Sequence, residues 1–301
     1  MNAIHTATAR LSSNSSSAAP HVSPPISGKA LSIGAGFEAQ SFRAQELDAA
    51  MDPLVMVDHY VMTESTFGVH PHAGMSAVSL LFEDGEGRFH NRDSLGNDFD
   101  LQPGDLYWLK AGSGALHDEA PRPGSRIHGL QVFVNVPQWQ RHDSPLSLLV
   151  RGNEMPAVIG EHYRVRVALG RSNGVSGVNA PDSSMTILDG YVSGPGKFVH
   201  RLDANRNAWI QAINGDLSVW VAGSVHVLGE GQALTVSIPA DGQPVDLRVQ
   251  NPHSRITHFV LFDAEPIREP YVQQGPFVMG SAAEIDEIQA AYAAGRLGQL
   301  D

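Results

Sequence analysis

Residues 96–104 read GNDFDLQPG, and residues 223–231 read GSVHVLGEG. Both segments follow the pattern Gly-x4-Leu-x2-Gly, and the second lies 127 residues after the first. Each segment stands between runs of residues that favour β-strands. A repeat at this spacing predicts two similar all-β units of roughly 110–130 residues each.

The segments around these repeats have the patterning of strands. Residues 162–169, HYRVRVAL, alternate apolar and polar side chains with the period of two that a half-buried strand requires. Residues 208–213 and 217–223 flank Asn214-Gly215-Asp216, and Asn-Gly is a strong hairpin signal. Further β-rich runs occupy residues 126–136 and 257–264.

Helix is predicted in two places. Near the C-terminus, Ser281 and Glu284 have the spacing of a capping box, and Gly295 stands where a helix can end. The apolar face of this helix contains Ile285, Ile288 and Tyr292. A second, short helix is predicted around Ala44–Ala50.

The composition supports a turn-rich β-protein and limits the chemistry. The 301 residues include 30 Gly and 19 Pro, more than helix bundles usually contain. There is no Cys, which excludes disulfides, thiolate nucleophiles and every Cys-ligated metal or iron–sulfur site. A metal ion would therefore need His and carboxylate ligands.

The charge and hydropathy of the chain argue against a nucleic-acid-binding or a membrane-spanning protein. The net charge is −12, from 20 basic and 32 acidic residues, whereas a nucleic-acid-binding protein needs a basic face. No apolar run approaches the ~18 residues of a membrane span. The N-terminus lacks the apolar core of a secretory signal, and we expect a soluble, cytoplasmic protein.

Two short motifs contain the residues that could bind a metal ion. In His70-Pro71-His72 and in His117-Asp118-Glu119, residues i and i+2 of an extended strand point to the same face. The intervening proline favours an edge strand or a bend. If the two strands meet, they offer three imidazoles and one carboxylate to one ion. Four protein ligands leave two positions of an octahedral shell for substrate or dioxygen.

Other interpretations of these residues remain open. Because the chain has 14 His, either motif alone is typical of surface residues. The stretch from Asn91 to Asn97 between the motifs predicts a tight turn. Trp108 and Phe133 are first interpreted as core residues.

These motifs together resemble the pirin family. The similarity runs from about residue 33 to residue 298, and the order and spacing of the motifs make it specific. It is carried by DPLVMVDH (residues 52–59), HPHAG (70–74), RDSLGN (92–97), PGD (103–105), AGSG (111–114), HDE (117–119) and EPYVQQGPFVM (269–279).

The resemblance implies an all-β bicupin. Two β-barrel domains of the double-stranded β-helix, or jelly-roll, type would be accompanied by a short C-terminal helix. The expected boundaries are a flexible tail at 1–28, a metal-binding cupin domain at 29–145, a metal-free cupin domain at 146–265, and a C-terminal segment with a helix at 266–301. This last segment would pack back on the N-terminal domain.

The resemblance also implies one metal ion in the first barrel. The family's ligand positions correspond here to His70, His72, His117 and Glu119. Iron(II) is expected, with Mn, Ni, Co, Cu and Zn as alternatives. In pirins the first motif commonly continues with Arg and an acidic residue, whereas this chain has Ala73 and Ser76. The pocket is therefore expected to be less polar beside the ion.

The internal repeat predicts that the second barrel has no metal. The position that matches His117 is Pro244, the carboxylate position is Asp246, and His200 has no His-x-His partner. The second barrel is therefore predicted to be structural.

The expected function is an Fe(II)-dependent dioxygenase of the quercetinase type, with a small aromatic substrate and dioxygen. It would cleave a flavonol-type aromatic enol with loss of carbon monoxide, and Glu119 would remove the enol proton as the catalytic base. Phe67, Met75 and Trp108 are candidates for the cavity lining. The alternative is a non-catalytic, redox-sensing iron protein with a regulatory protein partner. A third, weaker interpretation is a cupin isomerase or hydrolase that uses another metal.

Overall fold

The chain forms two β-barrels in a computed structural model, which describes residues 18–47, 51–253 and 255–300. Within the described residues, the first half contains thirteen strands and one short α-helix, α1, at Ala44–Leu47. The strands are β1 His21–Val22, β2 Ile26–Ser27, β3 Lys29–Ile33, β4 Phe37–Arg43, β5 Leu54–Met62, β6 His70–His72, β7 Met75–Leu81, β8 Phe89–Asp93, β9 Asp98–Leu101, β10 Leu106–Lys110, β11 Ala115–Pro121, β12 Ile127–Asn135 and β13 Leu146–Val150.

The N-terminal barrel consists of two antiparallel sheets. The larger sheet has the order β13-β10-β7-β12-β5-β4-β3, and the smaller one has the order β6-β11-β8-β9. Because side chains alternate along a strand, one face of the larger sheet lines the barrel interior and the other packs on the second barrel. On β5, Met56, Asp58, Tyr60 and Met62 face the interior, while Val57 joins the core shared with the second barrel.

The second half repeats this arrangement. Its strands are β14 Ala157–Gly160, β15 Tyr163–Leu169, β16 Arg171–Ser172, β17 Val175–Ser176, β18 Thr186–Val192, β19 Lys197–Leu202, β20 Asn207–Asn214, β21 Leu217–Val221, β22 Ser224–Leu228, β23 Gln232–Ser237, β24 Val245–Gln250 and β25 Thr257–Ala264. The larger sheet has the order β1-β23-β20-β25-β18-β15-β14, and β2 also pairs with β23. The smaller sheet has the order β19-β24-β21-β22. The predicted all-β fold with two barrels is confirmed.

The internal repeat lies at the same place in both barrels. The strands β9 and β22, which lie within the two copies of the motif, are both edge strands of the smaller sheets. Gly96 and Gly104 have φ of +91° and +90°, and Gly223 and Gly231 have φ of +81° and +80°. Glycine is the residue that adopts this left-handed region without steric cost. The spacing of the motif therefore follows from one turn before and one turn after a single strand.

The N-terminal segment differs from the flexible tail predicted for residues 1–28. Residues 1–17 lie outside the described residues. Within the described part, β1 and β2 pair with β23 of the second barrel, with Val22 opposite Val236 and Ile26 opposite Ala233. An open sheet edge supplies backbone partners that a segment of low apolar content cannot supply by itself.

The C-terminal segment contacts the N-terminal barrel. It forms β26 Val272–Gln274, β27 Phe277–Met279 and helix α2 Ala282–Ala293. Its apolar residues form a cluster with residues of the first barrel: Ala73, Leu116, Phe277, Met279, Ile285, Ile288 and Leu297.

Helix α2 begins and ends near the predicted positions. The Ser281 hydroxyl accepts a hydrogen bond from the Glu284 N–H at 3.3 Å, and Gly295 follows the helix with φ of +68°. Ile285 and Ile288 are buried, whereas Tyr292, predicted on the same face, is 41% exposed. For the second predicted helix, α1 covers residues 44–47, and residues 48–50 lie outside the described part of the chain.

The two barrels share one apolar core. The cluster contains Phe42, Phe82 and Trp108 of the first half together with Trp209 and Phe262 of the second. The rings of Phe42 and Trp209 meet edge to face, with centroids 4.8 Å apart. This continuous burial fixes the barrels against each other.

Among the described residues, none of the helices has the length and apolar character needed to cross a bilayer. The cytoplasmic location stays a prediction.

Candidate metal centre

The two histidine motifs lie on neighbouring strands of the smaller sheet. Strand β6 is His70-Pro71-His72 itself, and it pairs antiparallel with β11 so that His70 lies opposite His117. Strand β6 is an edge strand, which is where a proline can stand without costing a ladder hydrogen bond. Because the spacing of two keeps side chains on one face, all three imidazoles point into the barrel.

The three histidines converge on one point. His72 Nε2 is 2.8 Å from His117 Nε2, and His117 Nε2 is 2.9 Å from His70 Nε2. Their ligand atoms all lie within 4.8 Å of one another. The smallest distance between two ring centroids, from His70 to His117, is 4.4 Å. The group is buried at His72 and His117 and half-buried at His70.

Backbone carbonyls determine which ring nitrogens carry hydrogen. His70 Nδ1 is 2.8 Å from the Gly68 carbonyl oxygen, and His72 Nδ1 is 3.3 Å from that of Pro276. A carbonyl only accepts, so both Nδ1 atoms donate and both Nε2 atoms present a lone pair. His117 Nε2 can donate to one of these lone pairs but not to both. A cation at this point removes the repulsion that remains.

Burial keeps the three imidazoles neutral. It lowers the pKa of His72 to about 3, with the neighbouring His70 adding to the effect. Burial, followed by the charges of His72 and His70, places the pKa of His117 well below 6.5. The pKa of His70 is also lowered by burial. Neutral imidazole is the form that binds a metal ion, so the site is prepared for one at neutral pH.

Glu119 lies in the same cavity, outside the group formed by the three histidines. It is on β11 two residues after His117 and is 8% exposed. The Ser79 hydroxyl of β7 is 2.7 Å from Glu119 Oε1 and donates to it. Burial raises the pKa of Glu119 to about 7, against the lowering effect of the Ser79 hydrogen bond. Glu119 as fourth ligand stays a prediction.

Asp118, between His117 and Glu119, points away from the cavity. Its carboxylate accepts hydrogen bonds from Arg92 Nε at 3.1 Å and Nη2 at 3.0 Å. The alternation along β11 therefore separates two acidic neighbours, one inside the barrel and one outside it.

The histidines form part of the wall of a cavity of about 670 Å³. This volume lies within the range of small-molecule sites, which is ~300–1,000 Å³. The wall includes apolar and aromatic side chains: Leu31, Ile33, Phe37, Met56, Met62, Phe67, Phe89 and Phe133. Polar side chains besides the metal site are Arg43, Gln45, Asp58, Tyr60, Gln131 and Gln273.

Of the three residues predicted to line the cavity, only Phe67 does so. Trp108 is on the opposite face of the larger sheet and is buried between the barrels. Met75 is packed in a small core with Val55 and Val278. Phe133, first interpreted as a core residue, lines the cavity with its ring 5.2 Å from that of His72.

Tyr60 is a cavity residue that the motif search missed. It belongs to VMVDHYVM, residues 55–62, in which every second residue from Met56 faces the cavity. The period-two alternation along this strand could have identified Tyr60 as a cavity residue. Because the strand is buried on both faces, however, its two faces do not differ in polarity. Burial raises the pKa of Tyr60 well above 10, and the charge of Glu119 adds to the effect.

Ser76, at the position where pirins commonly have an acidic residue, points away from the cavity. Its hydroxyl donates to the carboxylate of Asp182, which belongs to the second half of the chain. The expectation that Ser76 makes the pocket less polar is therefore wrong, because this residue connects the barrels instead.

The positions of the second barrel that match the metal motifs have other contacts. His200 Nε2 is 3.1 Å from Asp263 Oδ2, and its Nδ1 is 3.0 Å from Ser172 Oγ. Asp246 is at the surface, 3.7 Å from Arg201. Apolar side chains fill the interior of this barrel, and its structural role stays a prediction.

The donor set fits a borderline divalent cation. Three neutral imidazoles with converging lone pairs are ligands that Fe, Mn, Ni, Co, Cu and Zn accept. Outer hydrogen bonds from the ligating histidines to Gly68 and Pro276 are of the kind that orient metal ligands. His70, His72 and His117 would hold the ion.

Comparison with known protein families gives matches in both halves of the chain. Residues 32–134 match the family model described as Pirin, and residues 188–298 match the model described as Pirin C-terminal cupin domain. Pirin from Rattus norvegicus is 30% identical over 238 residues, which are 79% of this chain and 79% of the relative.

Solved structures share the fold over most of the chain. Quercetin 2,3-dioxygenase from Acinetobacter baumannii superposes with a TM-score of 0.81 at 22% identity, over 94% of this chain and 100% of that chain. The bacterial pirin YhhW from Escherichia coli, solved in complex with nickel(II), superposes with a TM-score of 0.62 at 20% identity, over 82% and 100%.

Proposed function

The chain belongs to the pirin family, and on that premise we propose that it is an iron(II)-dependent dioxygenase that cleaves a flavonol-type aromatic enol. The observation that carries the proposal is the convergence of His70, His72 and His117 on the wall of a cavity of about 670 Å³ that also has four phenylalanines in its wall. The similar fold of a quercetin 2,3-dioxygenase supports it, because quercetin is a flavonol. Mn, Ni, Co, Cu and Zn are the alternative metals.

The proposed division of labour follows from the positions of the side chains. The three histidines would hold the ion, which would supply Lewis-acid chemistry and a template for the two reactants. Glu119 is the proposed fourth ligand and the group that accepts the enol proton. It lies on the cavity side of β11, and its Oε1 is held by Ser79. This hydrogen bond holds the carboxyl group on the cavity side, which supports its proposed role as the base.

The side chains of the cavity wall would bind the substrate and exclude water from it. Phe133 contacts the ring of His72, and Met56 follows on the neighbouring strand β5. A flat aromatic substrate buries apolar area against such side chains and gains about 25 cal/mol per Å². The polar groups on the same wall restrict its orientation.

The test is turnover of quercetin by the iron-loaded protein. We expect its absorbance to fall and carbon monoxide to be released, with both signals lost in His117→Ala and kept in His200→Ala. His200 is the matched control because it is buried and hydrogen-bonded but belongs to the other barrel. Absence of turnover by iron-loaded wild-type protein would contradict the proposal.

One contact favours the alternative, a non-catalytic iron protein that regulates a protein partner. The β26–β27 hairpin packs on the metal site, and the Pro276 carbonyl is the hydrogen-bond acceptor of His72. Val272 on the same hairpin is 38% exposed. A change at the metal would therefore reach a surface through one hairpin. Under this alternative, partner binding depends on the metal state and quercetin is not consumed.

A further inference from the structure

Tyr60 has a buried hydroxyl group that the fold does not use. The residue is 3% exposed, and it lines the cavity that contains the metal site. No described residue lies within hydrogen-bond distance and geometry of its hydroxyl. A buried tyrosine hydroxyl normally finds a partner, so this one needs an explanation.

The ring of Tyr60 is held in place, although its hydroxyl is not. It stacks on Phe37 with centroids 5.5 Å apart and planes inclined by 20°. Phe37 in turn meets Phe67 edge to face at 5.1 Å. The hydroxyl group is therefore presented by a fixed aromatic stack.

The residues on both sides of Tyr60 in the sheet are small. In the sheet, Tyr60 lies opposite Ala39 on one side and Gly129 on the other. Neither residue has a side chain that could reach the phenol oxygen. The neighbouring strands therefore leave the phenol hydroxyl without a hydrogen-bond partner.

We infer that Tyr60 is a specificity-determining residue whose hydroxyl hydrogen-bonds an oxygen of the substrate away from the atoms at the metal. This inference rests on the proposed function and names the substrate class more closely. The substrate is a flavonol that carries hydroxyl groups on its rings in addition to the enol. A site built to hydrogen-bond such a group discriminates against the analogue that lacks it.

The experiment compares two ligands and three proteins. Quercetin carries ring hydroxyls, whereas 3-hydroxyflavone keeps only the enol and its neighbouring carbonyl. Each is titrated without oxygen into the iron-loaded wild type, Tyr60→Phe and Tyr163→Phe, and binding is followed by fluorescence quenching. Tyr163 is the matched control, because it is a half-buried tyrosine of the second barrel that contacts Phe198. Aerobic turnover of both flavonols is measured separately.

We expect Tyr60→Phe to weaken quercetin binding roughly 3- to 10-fold, the range of one neutral hydrogen bond. Binding of 3-hydroxyflavone should stay unchanged, as should both affinities in Tyr163→Phe. The melting temperature of ligand-free Tyr60→Phe should not fall, because the hydroxyl has no partner to lose. A fall would indicate a structural role and overturn the inference.

Equal effects on the two ligands, or no effect on either, would also overturn the inference. The proposed function fails on a different result, namely that wild-type protein binds quercetin and does not consume it in air. The ligand comparison without oxygen then still decides the role of Tyr60. If the wild type binds neither flavonol, both the inference and the proposed function are wrong.

Discussion

Gly68 and Pro276 set the chemistry of the candidate metal centre through their carbonyl oxygens. By accepting from Nδ1 of His70 and His72, they leave the Nε2 lone pairs directed at His117. A second pair of imidazoles, His59 and His128, also meets through Nε2 atoms 2.8 Å apart. There the hydrogens balance, because Asp84 accepts from His128 Nδ1 and His59 donates to His128 Nε2. In the first group two Nε2 lone pairs face one donor, and a bound cation would relieve their repulsion.

The neighbours Glu119 and Asp118 provide a test of the fourth ligand. If Glu119 binds the ion, Glu119→Gln should lower the metal affinity at least about 10-fold, as loss of metal-site groups does. Asp118→Asn should leave the affinity unchanged, since that carboxylate pairs with Arg92 outside the cavity. Metal titration by calorimetry measures both. Equal affinities for the two variants would remove Glu119 from the ligand set.

His59 should make stability depend on pH. Burial, followed by the charges of His128 and His258, lowers its pKa to about 3, whereas the unfolded chain has ~6.5. Between these values the unfolded state binds more protons, so the free energy of unfolding falls as the pH falls. His59 contributes up to about 1.4 kcal/mol per pH unit.

The measurement is denaturant unfolding of metal-loaded wild type and His59→Gln between pH 7 and pH 5. Acidification should cost the wild type more stability than the variant, because the other titrating groups are common to both. Parallel curves for the two proteins would show that His59 is not held neutral.

At the scale of elements, the C-terminal hairpin β26–β27 is joined to the first histidine motif. The Val278 N–H donates to the Ala73 carbonyl oxygen at 3.0 Å. Gly74, the residue after Ala73, has φ of +71°. A Cβ at Gly74 would lie 2.0 Å from the Val278 carbonyl oxygen and 2.5 Å from Met279 Sδ. The glycine after His-Pro-His-Ala therefore allows the hairpin to approach.

Gly74→Ala should lower the free energy of unfolding by about 1–3 kcal/mol more than Gly34→Ala, the range for overpacking a core. Gly34 is the control because it has φ of +61° and nothing within 4 Å of the added Cβ. Both variants share the backbone strain, so the difference measures the contact with the hairpin. Denaturant titration gives both values. Equal losses of unfolding free energy in the two variants would show that the hairpin accommodates the added methyl group without loss of stability.

Turns and helices could be predicted from the sequence where local residues determine them. The glycines of the repeat require positive φ in both barrels, and the helix near the C-terminus has its cap at Ser281, so sequence alone located them. Strands β1 and β2 could not be predicted, because they exist only by pairing with β23, more than 200 residues away. For the same reason, the positions of Tyr60 and Phe133 on the cavity wall depend on the sheet register.

At the scale of the molecule, a buried arginine connects the two barrels. Arg166 of the second barrel is fully buried and pairs with Asp189. Its Nη1 donates to the carbonyl oxygen of Gly104 in the first barrel at 2.8 Å. Asp189 also accepts from His258 at 2.5 Å. Gly104 is a glycine of the internal repeat, so a turn of one barrel is a docking point for the other.

Arg166→Met should lower the free energy of unfolding by about 3–5 kcal/mol, because it leaves the Asp189 carboxylate buried without its cation. Arg164→Met is the control on the same strand, where a half-exposed side chain pairs with Glu83 at 2.6 Å. It should cost no more than about 1 kcal/mol. Chemical denaturation compares them. A loss of similar size in both variants would show that the buried pair does not stabilise the interface.

We propose that three imidazoles of the first barrel hold one divalent ion. Elemental analysis tests it on protein loaded with iron(II) without oxygen and then dialysed. Wild type and His200→Ala should retain close to one ion per chain, and His117→Ala should retain almost none. Folded wild-type protein without metal, or His117→Ala with a full complement, would contradict the account.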